Sequence, residues 1–187
     1  MKFISSGHCN VHGPNFDPGA PGLNGRYEAF ETVRVRNRVI EIIKSRGYTD
    51  IIQDADGEKL SQYLNRVQTG SSSMVCEFHF NAGPGNATGV ETLIEIDGDK
   101  MDIACAREFS KLTSNVLSIP MRGVQGVKTE ADTRHVRLAL MKEEGIIVLV
   151  EICFISNIND MNLFDVNFER LCQGYADILI KYDNMLS

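Results

Sequence analysis

Ile146-Ile147-Val148-Leu149-Val150-Glu151-Ile152-Cys153-Phe154 is an almost unbroken apolar, β-branched run. It is far too short to cross a membrane as a helix, and its composition is that of a central strand buried on both faces. A strand of this kind needs neighbours and cover. Both are present, because short apolar runs alternate with longer helical periods along the whole chain, as in a sheet covered by helices. The chain therefore reads as α/β: a single domain over residues 1–187, with a mostly parallel twisted sheet of about six strands flanked by helices on both faces. Its 187 residues suit one domain that buries roughly 70% of its unfolded surface.

Upstream, a first strand is expected over Lys2 to Ser5, running out into Ser6-Gly7-His8. A Gly/Pro/Asn-rich loop follows from Cys9 to Gly25, with no visible secondary structure; loops of that length in compact domains build sites. A helix should run from about Arg26 to Ser45, with Phe30, Val33, Ile40 and Ile43 on one stripe and Gly47 closing it. Then come a strand over Tyr48 to Gln53, a helix near Glu58 to Val67, and a strand from Met74 to Phe80. The apolar run Val90 to Ile96 precedes a helix from Lys100 to Leu117, where Met101, Cys105, Phe109, Leu112 and Val116 keep helical spacing. The last helix is expected over Asn167 to Tyr182.

Lys and Arg number 19 against 25 Asp and Glu, a net charge of -6, which argues against a nucleic-acid partner. The five cysteines, Cys9, Cys76, Cys105, Cys153 and Cys172, are too few and scattered for a disulfide framework and read as reduced thiols. Cys105, Cys153 and Cys172 sit in apolar runs as small core residues. No window has the length of a membrane span and the first residues lack a Sec-type signal, so synthesis in the cytoplasm is expected. Neither repeats nor a linker marks a separate cell-wall-binding module, and a monomer is expected.

Ionisable groups are costly to bury, so those that interrupt or end apolar strands are informative. His8 lies just past the first strand, His79 near the end of the third, and Glu151 within the most hydrophobic one. Ligands collect outside the carboxyl ends of strands in α/β sheets, where these groups can converge. Two imidazoles and a carboxylate suit a catalytic zinc site, with three protein ligands and one open position. Glu28, brought back by the long loop, is the best third ligand, and Glu31 is one turn further along; Glu151 could then act as base. A cysteine hydrolase using Cys9 with His8 or His12 is disfavoured, since adjacent positions rarely orient nucleophile and base. His12 and His135 lie in polar, loop-like contexts.

These residues resemble the zinc-dependent N-acetylmuramoyl-L-alanine amidases, of the type 3, phage endolysin-like kind, which cut peptidoglycan between sugar and stem peptide. The likeness runs through Ser6-Gly7-His8, Asp17-Pro18-Gly19-Ala20 leading to Glu28, Phe78-His79-Phe80-Asn81-Ala82, Gly89-Val90-Glu91, Arg122-Gly123-Val124 and, above all, Val148 to Asn157. The resemblance implies His8, Glu28 and His79 as ligands of one zinc ion per chain and Glu151 as the catalytic carboxylate. It favours Glu28 over Glu31 by the distance to Gly47. Peptidoglycan is the implied partner; Arg122 is a candidate contact for a stem-peptide carboxylate or else a surface ion pair, and Asn81 a candidate substrate-side residue that orients the site or caps the loop. A setting without Sec-type export points to a lysis enzyme reaching the wall after phage-mediated permeabilisation.

Four departures stand out: Cys9 in place of Gly, Glu77 in place of a small Ser two residues before the second histidine, Cys153 in place of Gly after Glu151, and Ile52-Gln53-Asp54 without Thr-Arg. Glu77 shares a strand face with His79; it is read as an ion-pair partner in preference to a support for the imidazole. Two other functions keep the same residues in play. One is a zinc carboxypeptidase or endopeptidase acting on stem peptides; the other is a noncatalytic peptidoglycan-binding domain in which Glu151 is merely a buried polar residue.

Overall fold

The apolar run is a nine-residue strand, Ile146–Phe154 (β6), and every residue in it except Glu151 is buried. Around it, the computed structural model describes residues 1–8, 16–133 and 137–186. Their elements are Lys2–Ser6 (β1), Glu28–Ser45 (α1), Ile51–Gln53 (β2), Leu60–Arg66 (α2), Met74–Asn81 (β3), Glu91–Ile94 (β4), Lys100–Leu117 (α3), Val127–Thr129 (β5), β6 and Ile158–Met185 (α4). Cys9, His12 and His135 lie outside the described residues.

The six strands form one sheet in the order β2-β1-β3-β6-β4-β5. Parallel pairing joins β2, β1, β3 and β6, β4 runs antiparallel to β6, and β5 is parallel to β4. This is the mostly parallel sheet expected. Cover is present on both faces but unequal. On one face α1, α3 and α4 bury a large core that takes Ile4, Cys76, Phe78, Val148, Val150 and Ile152 from the strands. On the other, a smaller cluster joins Phe3, Val75, Ile147, Leu149 and Leu93 to Tyr63 of α2 and to Leu140 and Met141.

Strand alternation places residues i and i+2 on one face. Continuing the thinly covered face toward the strand ends gives Ser5 on β1, Glu77 and His79 on β3, Glu151 on β6 and Glu91 on β4. Apolar residues give way to charged ones on this face as α2 ends its cover. His79 and Glu91 are each paired in register with Glu151, so three ionisable side chains stand in a row across three strands.

The last helix begins at Ile158, well before the expected Asn167. Asn157 caps it, its side chain accepting the N–H groups of Asn159 and Asp160. Two short strands differ from expectation: β2 covers only Ile51–Gln53, and β5 had no forecast. Cys76, Cys105, Cys153 and Cys172 are buried free thiols, and burial pushes all four up. Among the described residues no helix is long and apolar enough to cross a membrane.

Candidate metal centre

Past β1 the chain makes a tight passage that aims His8 inward. The Gly7 N–H donates to the Phe78 carbonyl at 2.8 Å and Thr32 Oγ1 donates to the Gly7 carbonyl at 2.8 Å. His8 itself is left-handed, with φ 68°, an uncommon setting for a side-chain-bearing residue that persists where its surroundings fix it. Below it, buried Arg36 pairs with Asp54 at 2.8 Å, and Asp54 accepts the Ser6 N–H and Oγ–H at 3.1 and 2.7 Å. Asp54, at the end of the Ile52-Gln53-Asp54 stretch that lacks Thr-Arg, thus anchors the strand end.

Glu28, the first residue of α1, is 4% exposed. It accepts the N–H groups of Ala20 and Phe80 at 2.9 and 3.0 Å, which ties the long loop and β3 to the helix. Its two oxygens face the two histidines: Oε2 lies 3.2 Å from His8 Nε2 and Oε1 2.9 Å from His79 Nδ1. The imidazole centroids are 5.2 Å apart at 76°. One ligand atom from each of His8, Glu28 and His79 lies within 4.8 Å of the others. Glu31 turns away to Arg26 and Arg34.

The imidazoles are seated against glycine. A Cβ on Gly7 would come within 2.3 Å of His79 Cε1, and one on Gly19 within 2.5 Å of His8 Cδ2 and 2.8 Å of Glu28 Oε2. Outer carboxylates hold the remaining ring nitrogens: Asp17 Oδ2 is 3.0 Å from His8 Nδ1, and Glu77 Oε1 is 2.9 Å from His79 Nε2. Glu77 thus pairs with the imidazole itself, and among the described residues no lysine or arginine is paired with it.

Burial disfavours charge on either ring, yet the hydrogen bond and negative charge of Glu28 outweigh it at His8, whose pKa is raised. At His79 burial is likewise outweighed, by the hydrogen bonds and charges of Glu28 and Glu77, and the shift is large. Glu28 moves the other way: its own burial is overcome by hydrogen bonds to His79 and His8. The opposite shifts of Glu28 and the two imidazoles reflect charge balanced within the cluster.

Glu151 presents a buried Oε2 with no hydrogen-bond partner. Burial pushes its pKa up to about 7, against the pull of His79. Arg122 Nε donates to Glu91 at 2.8 Å, as does Lys128 Nζ, and the Arg122 guanidinium lies 5.0 Å from the Phe154 ring centroid. Asn81 closes β3, where its carbonyl accepts the Ile155 N–H at 2.8 Å. Ser156 and Asn157, the tail of the longest matching segment, secure the turn into α4: Ser156 Oγ accepts the Gly83 N–H and Asn157 Nδ2 donates to the Ala87 carbonyl.

A cavity of about 510 Å³ opens from His8 and His79 along the strand ends toward Lys59, Ser61 and Tyr63. Sequence reasoning missed Asp17 as a partner of His8; its position two residues before Gly19 in the site-building loop was the available signal.

The profile of the N-acetylmuramoyl-L-alanine amidases matches residues 3–180. The chain belongs to that family. This amidase is a peptidoglycan hydrolase that cleaves the amide between N-acetylmuramic acid and the L-alanine of the stem peptide. Family membership sets aside the stem-peptide peptidase and the noncatalytic binding domain. The N-acetylmuramoyl-L-alanine amidase assigned in Neisseria meningitidis is similar at 27% identity and TM-score 0.73, over 95% of this chain and 92% of that one. The catalytic domain of CwlV from Bacillus (Paenibacillus) polymyxa shares the fold at 21% identity and TM-score 0.73, over 98% and 99% of the two chains. So does an endolysin catalytic domain targeting Clostridia difficile, at 19% identity and TM-score 0.70, over 99% and 97%. No curated protein sequence is significantly similar. The family is in general zinc-dependent, and the amidase's His/Glu/His cluster has the donor set and spacing that can hold a metal ion.

Proposed function

We propose that His8, Glu28 and His79 hold one zinc ion and that Glu151 moves the proton in amide hydrolysis. The observation that carries this is the convergence of three donor atoms within 4.8 Å, beside a strand whose one carboxylate keeps a buried oxygen without a partner. Zinc in such a site supplies a Lewis acid that acidifies water and polarises the lactyl carbonyl. Glu151, with a pKa pushed up to about 7, takes a proton from the attacking water and returns it to the departing amine of L-alanine. Its position in register with both His79 and Glu91 fixes it on the sheet face that carries the cluster. Arg122 meets a stem-peptide carboxylate with the guanidinium nitrogens left over from Glu91, and Asn81 lines the substrate side of β3.

Glu151→Gln should keep zinc at one equivalent and lower turnover by at least about 10³-fold, measured by metal analysis and by mass spectrometry of digested peptidoglycan. Turnover near that of the parent would remove Glu151 from the mechanism. His79→Ala should lose the metal itself.

The amidase acts as a monomer, and it reaches the wall when a phage-mediated breach opens the inner membrane. Fold similarity to an endolysin catalytic domain supports that setting. Producing cells should stay intact until a membrane-permeabilising agent is added, and lysis without one would contradict it.

A further inference from the structure

We infer that Glu77 is a positioning residue for metal binding: it accepts the Nε2–H of His79 and so leaves Nδ1, the nitrogen that faces Glu28, with a free lone pair. This rests on the reading of His8, Glu28 and His79 as ligands.

Glu77 is 2% exposed, a costly place for a carboxylate unless its oxygens are used. Both are used. Ser5 Oγ donates to Oε2 at 3.0 Å from the register-paired position on β1, and His79 Nε2 lies 2.9 Å from Oε1. Among the described residues the imidazole is its one cationic partner, so nothing else accounts for a carboxylate here. A neutral imidazole carries its proton on one nitrogen, and an ionised carboxylate can only accept. Glu28 faces Nδ1 at the same 2.9 Å, so it is the commitment of Nδ1 to the metal that puts the proton on Nε2, facing Glu77. Gly7 closes against the ring on its other side, where a Cβ would lie 2.3 to 2.5 Å from Cε1, Nδ1 and Nε2.

His8 is arranged in the opposite sense. There Asp17 meets Nδ1 at 3.0 Å, and Nε2 faces Glu28 at 3.2 Å. Each ring thus has a carboxylate on the nitrogen turned away from the centre. The two differ in burial: the Asp17 side chain is 61% exposed, so solvent replaces it more readily than it replaces Glu77, whose side chain is 3% exposed. Outer carboxylates of this kind fix the tautomer of a ligating histidine.

The test is the zinc affinity of the full chain, measured by competition with a chelator, together with long-range ¹H–¹⁵N NMR of His79. Glu77→Ala should weaken zinc binding 10–100-fold, the usual range for an outer partner of a ligand (roughly,). Glu77→Gln should recover most of that loss, because its amide oxygen still accepts the Nε2–H while Ser5 turns to accept its N–H. Thermal unfolding of metal-stripped protein identifies a variant that fails to fold. The spectrum of the zinc-loaded parent needs no variant: it should show the proton on Nε2. A proton on Nδ1, or parental zinc affinity in Glu77→Ala, overturns the inference. If His79→Ala also keeps zinc, the ligand reading itself has failed; if His79→Ala loses zinc and Glu77→Ala does not, only the role of Glu77 falls.

Discussion

Gly19 shows how little space surrounds the His8–Glu28–His79 cluster. Its φ is +65°, a region side-chain-bearing residues enter at a cost, and a Cβ there would press on the His8 ring and on Glu28 Oε2. Gly19→Ala should cost about 1–3 kcal/mol from the backbone alone and displace two of the proposed ligands at once. Its zinc affinity should therefore fall more than its stability in the metal-stripped state, as chelator competition and thermal unfolding would show; equal zinc affinity would mean the loop relaxes freely. His8, His79 and Glu151 stood out in the sequence as candidates because each breaks or ends an apolar strand, and the structure brings the two imidazoles together and sets Glu151 in register with His79. Glu28 was legible only as one of two carboxylates at a helix start, since one turn of helix separates it from Glu31 and sequence does not reveal which the loop brings home. Glu77 was placed on the right face, with an ion pair preferred to support of the imidazole, and its one cationic partner among the described residues is the imidazole itself. Period-two alternation tells which side a residue is on and says nothing of what stands across the strand, here Ser5.

At the scale of elements, the weight falls on the junction of β6 and α4. Asp160, 2% exposed, accepts the Phe154 N–H at 3.1 Å and the Thr88 hydroxyl at 2.6 Å, while Asn157 caps the helix. Asp160→Ala leaves buried donors unmet and should cost about 2–3 kcal/mol, against about 1 kcal/mol for Asn157→Ala. Denaturant unfolding gives both values, and a smaller loss for Asp160 would show that water replaces it. This junction also explains why the start of α4 was hidden. Ile158, Leu163 and Val166 are exposed on its first turns, Val166 at 85%, so apolar residues lie on both sides and no single stripe marks a helix until Asn167. By contrast α3 has a clean stripe and the capping residue Asp99, and its bounds matched expectation. β2 and β5 are edge strands of three residues, half-buried, too short for alternation to be read.

Over the whole molecule, an acidic chain places two of its four histidines against carboxylates in one cluster, and this couples metal, proton and fold. In metal-stripped protein His8 and His79 are raised above 6.5 by Glu28 and, for His79, Glu77, which outweigh burial. A raised imidazole contributes stability that is complete below its unfolded value and is lost as pH climbs through the folded one. Glu151, pushed by burial from 4.5 to about 7, has the same sign, because the folded state holds its proton longer. Glu28 is opposite: lowered from 4.5 by His79 and His8 despite burial, it contributes above that value and loses its contribution only in acid. Stripped amidase should thus lose Tm as pH climbs above 6.5 through the raised imidazole values, with Glu151 adding to the loss between 4.5 and about 7. Zinc held by His8 and His79, as proposed, would compete with the imidazole protons, so its added stabilisation should grow over the same interval. Thermal unfolding at about pH 5.5, 7 and 8.5, with chelator or with saturating zinc, checks both signs. Curves that stay parallel would mean that the protons and the metal do not share a site.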